Sequence, residues 1–197
     1  MKHLLKKTSI LFFLLAIPNF NAQILYTENF DNYSVGNLGT DVTGKIPGQW
    51  GWYTASHDTQ ANSFFTIVNE TGRGKVLDIS TGFTNRESLA AWKTNLHPLI
   101  ANRTAGNDVL MFEVDYYTGP KHHANSGCYH EIRLYSIGDP TSLVNAPKAL
   151  GNFTFSKSNG IIYAGATGNN LYLPFNTWVK FILYLDYPNK KLYYYIP

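Results

Sequence analysis

Apolar and polar residues alternate with a period of two along most of the chain beyond residue 24. The pattern is clearest in two segments, residues 109–117 and 128–137. In the first, Leu110, Phe112, Val114 and Tyr116 alternate with Met111, Glu113, Asp115 and Tyr117. In the second, Cys128, His130, Ile132 and Leu134 alternate with Tyr129, Glu131, Arg133 and Tyr135. Side chains point to opposite faces along a strand, so each segment predicts a strand with one mostly apolar side and one aromatic, charged side. Gly119, Pro120, His122, His123 and Asn125 lie between them and read as a loop. The pair is therefore expected to form a hairpin at the middle of a β-sandwich. In that pairing Tyr117 stands opposite Tyr129, Asp115 opposite Glu131 and Glu113 opposite Arg133.

The same alternation predicts the other elements. Residues 24–33 read as a first strand. Residues 34–49 form a long loop punctuated by Gly36, Gly39, Gly44, Pro47 and Gly48. Residues 64–69 and 75–80 bracket Glu70-Thr71-Gly72-Arg73-Gly74, a hairpin signal. A strand is expected at 86–93, then loop over 95–108 with a helical turn near 99–102. Asp139-Pro140 opens a turn. Short strands follow at 149–156, 161–164 and 171–173. Residues 177–187 form a long strand with Val179, Phe181, Leu183 and Leu185 on one face. Pro188-Asn189 suits a turn, and residues 190–196 return with Leu192, Tyr194 and Ile196 inside. No ten-residue amphipathic helix interrupts this series. The expected class is all-β, a sandwich or jelly roll. The pattern stops inside a strand at Pro197. A terminal strand this aromatic wants a neighbour, so further strands are expected beyond it.

The first 22 residues read as an export signal. Lys2, Lys6 and Lys7 precede an eight-residue apolar run, residues 10–17, and Pro18 breaks it. That run is far short of the roughly 20 residues needed to span a bilayer. Cleavage is expected after Ala22, leaving residues 23–197 as one domain without a membrane span. Three of the 16 basic residues lie in the signal and none of the 13 acids, so thirteen of each remain. A balanced chain lacks the basic field that nucleic acids require. The expected location is the periplasm, the cell surface or the medium.

All 14 tyrosines and all four tryptophans follow the signal. This load suits strands. It also suits binding of sugars or other flat ligands. Trp50, Trp92 and Trp178 are read as core. Cys128 is the single cysteine, so no disulfide can form within the chain.

The stretches YTENFDNYSVGNLG, PGQWGWYT and TWVKFILYLDYPNKKLYYYI resemble concanavalin A-like, laminin-G-like domains of secreted Bacteroidetes and flavobacterial proteins. The resemblance implies a two-sheet antiparallel jelly-roll sandwich with one concave face. Such domains include lectins, adhesion modules, carbohydrate-binding modules and glycosidases. Glu113-Val114-Asp115 also resembles the start of the Glu-x-Asp-x-x-Glu signature of family-16 glycoside hydrolases. There the first Glu is the nucleophile and the last the acid/base. Here Tyr117 and Thr118 stand where that second acid would be. Hydrolysis with retention needs two carboxyls roughly 5–5.5 Å apart, so Glu131 would have to supply the second from the neighbouring strand.

Three further sets carry chemistry. His122, His123, Cys128 and His130 are metal-ligand types without a recognised ligand spacing. Glu28, Asp31 and Asp186 are hard-oxygen candidates for a structural calcium ion. Tyr117, Tyr129 and Tyr135, with Arg133, Glu113, Asp115 and Glu131, form the expected ligand platform. The functional expectation is a carbohydrate-binding or adhesion module without catalysis, taking an extracellular glycan. The alternative is a glycan hydrolase or lyase on the same scaffold.

Overall fold

The computed structural model describes residues 22–57, 61–80, 88–122, 128–136, 149–165 and 171–197. Residues 1–21, most of the expected signal, and the Asp139-Pro140 turn lie outside that set. The described chain is all-β, built of antiparallel sheets with one six-residue α-helix, α1, Leu96–Ala101. No described helix is long and apolar enough to cross a membrane.

Among the described residues the N-terminal half holds five strands: β1 (Gly36–Asn37), β2 (Trp52–Ser56), β3 (Phe65–Glu70), β4 (Gly74–Ile79) and β5 (Leu89–Lys93). They form a sheet in the order β1-β3-β4 and a separate β2-β5 pair. The β3–β4 hairpin follows its turn residues, with Gly72 at φ 78° and Gly74 at φ 80°, where an L side chain would be strained. Tyr33, Leu38, Val42, Phe65 and Ile67 form the core of this half, with Trp52, Leu77 and Leu89 against it.

The C-terminal half holds β6 (Val109–Tyr117), β7 (Tyr129–Tyr135), β8 (Ala149–Ser156), β9 (Ile161–Ala164), β10 (Leu171–Tyr172), β11 (Trp178–Asp186) and β12 (Lys191–Tyr195). They form two sheets, β12-β11-β6 and β10-β9-β8-β7. Phe153, Phe155 and Ile162 of the second sheet share one buried cluster with Phe181 and Leu183 of the first. Phe153 and Phe181 stack at 4.7 Å between ring centroids, and Tyr116 stacks on Phe181 at 5.5 Å. The two sheets therefore face each other across an aromatic core. As the alternation predicts, Leu192, Tyr194 and Ile196 pack against the same core.

This arrangement corrects the expected central hairpin. β6 pairs with β11, and β7 pairs with β8. The reason lies just after β6. Thr118 N–H donates to the Thr177 carbonyl (2.9 Å), and Gly119 C=O accepts from Asn176 N–H (2.7 Å). The chain thus stays with the β11 sheet, then crosses. His122 N–H donates to the carbonyl of Lys157, just beyond β8 (2.8 Å). Residues 118–122 thus pass from one sheet toward the other, and β6 and β7 face each other instead of pairing.

The first expected strand also differs. Residues 24–33 form no strand, and Phe30 sits at φ 59°. Their alternation is used by side chains instead of a ladder. The expected helical turn near 99–102 begins earlier, at Leu96. Of the expected strand at 86–93, the part among the described residues is β5.

Candidate functional site

The outer face of the β12-β11-β6 sheet sets paired charges beside exposed rings. Phe112 and Tyr116 of β6 point into the core, as do Phe181 and Leu183 of β11. Alternation then sends Glu113, Asp115 and Tyr117 outward from β6, and Trp178 and Lys180 outward from β11. The register places Trp178 opposite Tyr117, Lys180 opposite Asp115, and Ile182 between Glu113 and Tyr195. Rings and charges are thereby set side by side across three strands.

The charges neutralise one another. The Lys180 ammonium bonds the Glu113 carboxylate and lies 3.5 Å from Asp115. Its hydrogen bond to Glu113, then the two nearby carboxylates, raise its pKa. Arg73 reaches in from the β3–β4 turn. Its guanidinium donates to Asp115 Oδ2 at 3.1 Å and lies 4.2 Å over the Trp178 ring. Tyr117 sits beside that ring at 5.4 Å. Side chains in these pairs are 36–46% exposed. Exposed pairs of this kind contribute little, so ligand hydroxyls can replace them at small cost.

The face therefore offers Tyr117 and Tyr195 as open rings, and Glu113, Asp115 and Lys180 as hydrogen-bonding groups, with Arg73 lying over one face of Trp178. Arg73, Trp178, Lys180 and Tyr195 were not among the expected site residues. Three of them were legible: if Val179 and Phe181 point inward, Trp178 and Lys180 must point outward, and with Tyr194 and Ile196 inside, Tyr195 must point outward too. Trp178 is therefore not core. Trp50 is not core either, being 63% exposed. Trp92 is half-buried and stacks on Tyr53 at 5.7 Å.

The remaining platform residues lie elsewhere. Tyr129, Glu131, Arg133 and Tyr135 point outward from β7, on the other sheet. Arg133 pairs with Glu131 and donates to the Tyr135 hydroxyl at 3.1 Å, and Thr154 donates to Glu131 at 3.2 Å. The inner sides of the two sheets face each other, so these residues and Tyr117 occupy opposite outer faces. Glu131 and Glu113 are on opposite sides for the same reason. They cannot act as the two carboxyls of one glycosidase site, which must approach within roughly 5–5.5 Å for retention or about 6.5–9.5 Å for inversion. Glu113 ion-pairs with Lys180, not with the expected neighbour Arg133.

The three calcium candidates do not converge. Glu28 is half-buried in a network that ties residues 26–33 to the β2-β5 pair. Its Oε2 accepts from Tyr33 Oη (2.6 Å), Tyr26 Oη (2.7 Å), Lys93 Nζ (2.9 Å) and Trp52 Nε1 (3.4 Å). Burial alone would raise its pKa; the bonds from Tyr33, Tyr26, Lys93 and the Phe30 N–H override that and hold it at about 2. Burial and the Glu28 carboxylate push Tyr33 up to about 12. Asp31 accepts from the Lys75 N–H (3.2 Å) and from Asn29 Nδ2 (2.9 Å). The Lys75 ammonium takes the carbonyls of Asp31 (2.9 Å) and Tyr33 (2.7 Å). Asp186 caps the β11–β12 turn by accepting from the Asn189 backbone and side-chain N–H groups. Among the described residues no group of three or more His, Cys, Asp or Glu side chains is placed to hold a metal.

The histidine and cysteine set brings no three ligands together among the described residues. His130 and Cys128 share the inner side of their sheet. The Tyr116 hydroxyl lies 2.6 Å from His130 Nδ1. Burial, with the nearby Lys157 charge adding, lowers His130 to about 4. Burial raises the Cys128 thiol and lowers Lys157, whose ammonium donates to the Thr118 carbonyl at 2.6 Å. His123 lies outside the described residues.

No family model, curated protein or solved structure matches this chain.

Proposed function

We propose that the protein is an exported carbohydrate-binding module without its own catalysis, a concanavalin A-like jelly roll that holds an extracellular glycan. The observation that carries this reading is the outer face of the β12-β11-β6 sheet. There the open rings of Tyr117 and Tyr195 flank the mutually paired Glu113, Asp115 and Lys180. A sugar presents an apolar ring face edged by hydroxyls. Flat aromatic rings match the first, and exchangeable ion pairs match the second. The all-β architecture and the facing sheets are compatible with the jelly roll. The separation of Glu113 from Glu131 favours this reading over the hydrolase alternative, which needs a second acid beside Glu113.

The test is a glycan array probed with the protein, with reducing-sugar release followed on every glycan that binds. Binding without release is the expected result. Release from a bound glycan, abolished by Glu113→Gln, would place the protein among the hydrolases. Failure to bind any glycan would remove the reading.

A further inference from the structure

The two outer faces are alike in kind. One carries Tyr117, Tyr193 and Tyr195, which are 43%, 48% and 53% exposed. The other carries Tyr129, Tyr135 and Tyr172, which are 54%, 44% and 65% exposed. Tyr129 and Tyr135 stand at the two ends of one strand, about 20 Å apart at 3.3 Å per residue. Between them lie Glu131 and Arg133, with Thr154 and Asn152 on the adjacent strand. This is a strip of ring, hydrogen-bonding groups, ring, as on the first face.

The faces look away from each other. Tyr116 and His130, and Phe153 and Phe181, meet between the sheets. Packed sheets lie about 10 Å apart, and each outer face stands a further side chain beyond its sheet. A chain lying flat on one face cannot also touch the other.

Charge defines the ligand class. On the first face Glu113 and Asp115 are matched by Lys180 and Arg73. On the second Glu131 is matched by Arg133. Among the described residues neither face has a net field to select a polyanion, a polycation or a strongly charged protein. An uncharged polyhydroxylated chain complements both.

Resting on the carbohydrate-binding reading, we propose that this domain is bivalent: it binds one uncharged glycan chain on each outer face and so cross-links glycans. The probes are xyloglucan, mannan and laminarin as polymers, their hexasaccharides for titration, and polygalacturonate as the charged control. The wild type should bind two hexasaccharides per chain and turn the matching polymer turbid. Tyr117→Ala/Tyr195→Ala and Tyr129→Ala/Tyr135→Ala should each keep one hexasaccharide, keep the wild-type melting temperature and lose the turbidity. One hexasaccharide per wild-type chain, with the β7 variant unchanged, overturns bivalency and leaves the carbohydrate reading standing. Turbidity that persists in both variants reports self-association and also overturns it. Stronger binding to polygalacturonate overturns the uncharged class. No binding to any probe removes both readings.

Discussion

The hydroxyl of Tyr116 lies 2.6 Å from Nδ1 of His130, across the space between two sheets. The two residues sit on strands that share no ladder. Tyr116 also stacks on Phe181. This contact is thus a polar tie inside an aromatic core. A hydroxyl donating to Nδ1 needs a neutral imidazole, and burial keeps it neutral down to about pH 4.

That ring makes stability depend on pH in a defined window. The unfolded chain takes up a proton near pH 6.5, the folded chain only near 4. Below pH 6.5 the unfolded state therefore holds more protons, and stability falls as pH falls from about 6.5 to 4. The loss should approach about 3 kcal/mol by pH 4. Urea titrations from pH 7.5 to 4 should show this slope, and His130→Gln should flatten it. An unchanged slope in the variant would assign the dependence to another group.

Glu28 acts in a lower window. Its folded pKa, about 2, lies below the ordinary carboxylate value. Its contribution is therefore complete above about pH 4.5 and is lost as pH falls toward 2. The side chain is 18% exposed, so screening is partial. Glu28→Gln should cost about 2–3 kcal/mol at pH 7 and almost nothing at pH 2. It should also free the 22–33 segment, read as faster amide exchange at Tyr33. Equal stability of the variant at pH 7 would mean that the five donors find other partners.

The core prediction concerns Phe181. It is 1% exposed and touches the rings of Phe153 and Tyr116. Phe181→Ala should cost about 3–5 kcal/mol. Met111→Ala, at a position 55% exposed, should cost under about 0.5 kcal/mol. Chemical denaturation of both variants checks the contrast.

Strands were far more legible than their partners. The limits of β6, β8 and β9 follow from alternation and turn residues alone, because those signals are local. Pairing is not local. The Gly119-Pro120 segment suits a hairpin and a sheet-to-sheet crossing equally well in composition. What decides is the hydrogen bonding of Thr118, Gly119 and His122 to partners roughly 35 to 60 residues away. The error over residues 24–33 has another cause. Tyr26, Glu28 and Phe30 alternate as a strand would, but Glu28 gathers donors from Tyr33, Trp52 and Lys93, which no period reveals. Arg73 was legible only as a turn residue. Its place over Trp178 depends on how the β3–β4 turn meets the β12-β11-β6 sheet.

The last prediction separates ligand contact from scaffold on the face that Arg73 covers. Tyr117 is 43% exposed, while one face of Trp178 lies under the Arg73 guanidinium. A ring that stacks on a sugar removes water from both surfaces. At roughly 25 cal/mol per Å² this amounts to about 1–2 kcal/mol per ring. Tyr117→Ala should therefore weaken glycan binding about five- to thirtyfold, since 1.4 kcal/mol is one decade. Its melting temperature should barely move, because the removed ring lies outside the core. Arg73→Ala should behave differently. It breaks an exposed pair with Asp115, worth at most about 1 kcal/mol, and a cation–π contact of similar size. It also uncovers an indole face beside Tyr117. Stability should thus fall by about 1–2 kcal/mol, while affinity is kept or improved. Titration of both variants against a glycan found on the array, with thermal melts alongside, reads both quantities. Full affinity in Tyr117→Ala would exclude that ring from the site, and a large loss in Arg73→Ala would make the guanidinium itself a ligand contact.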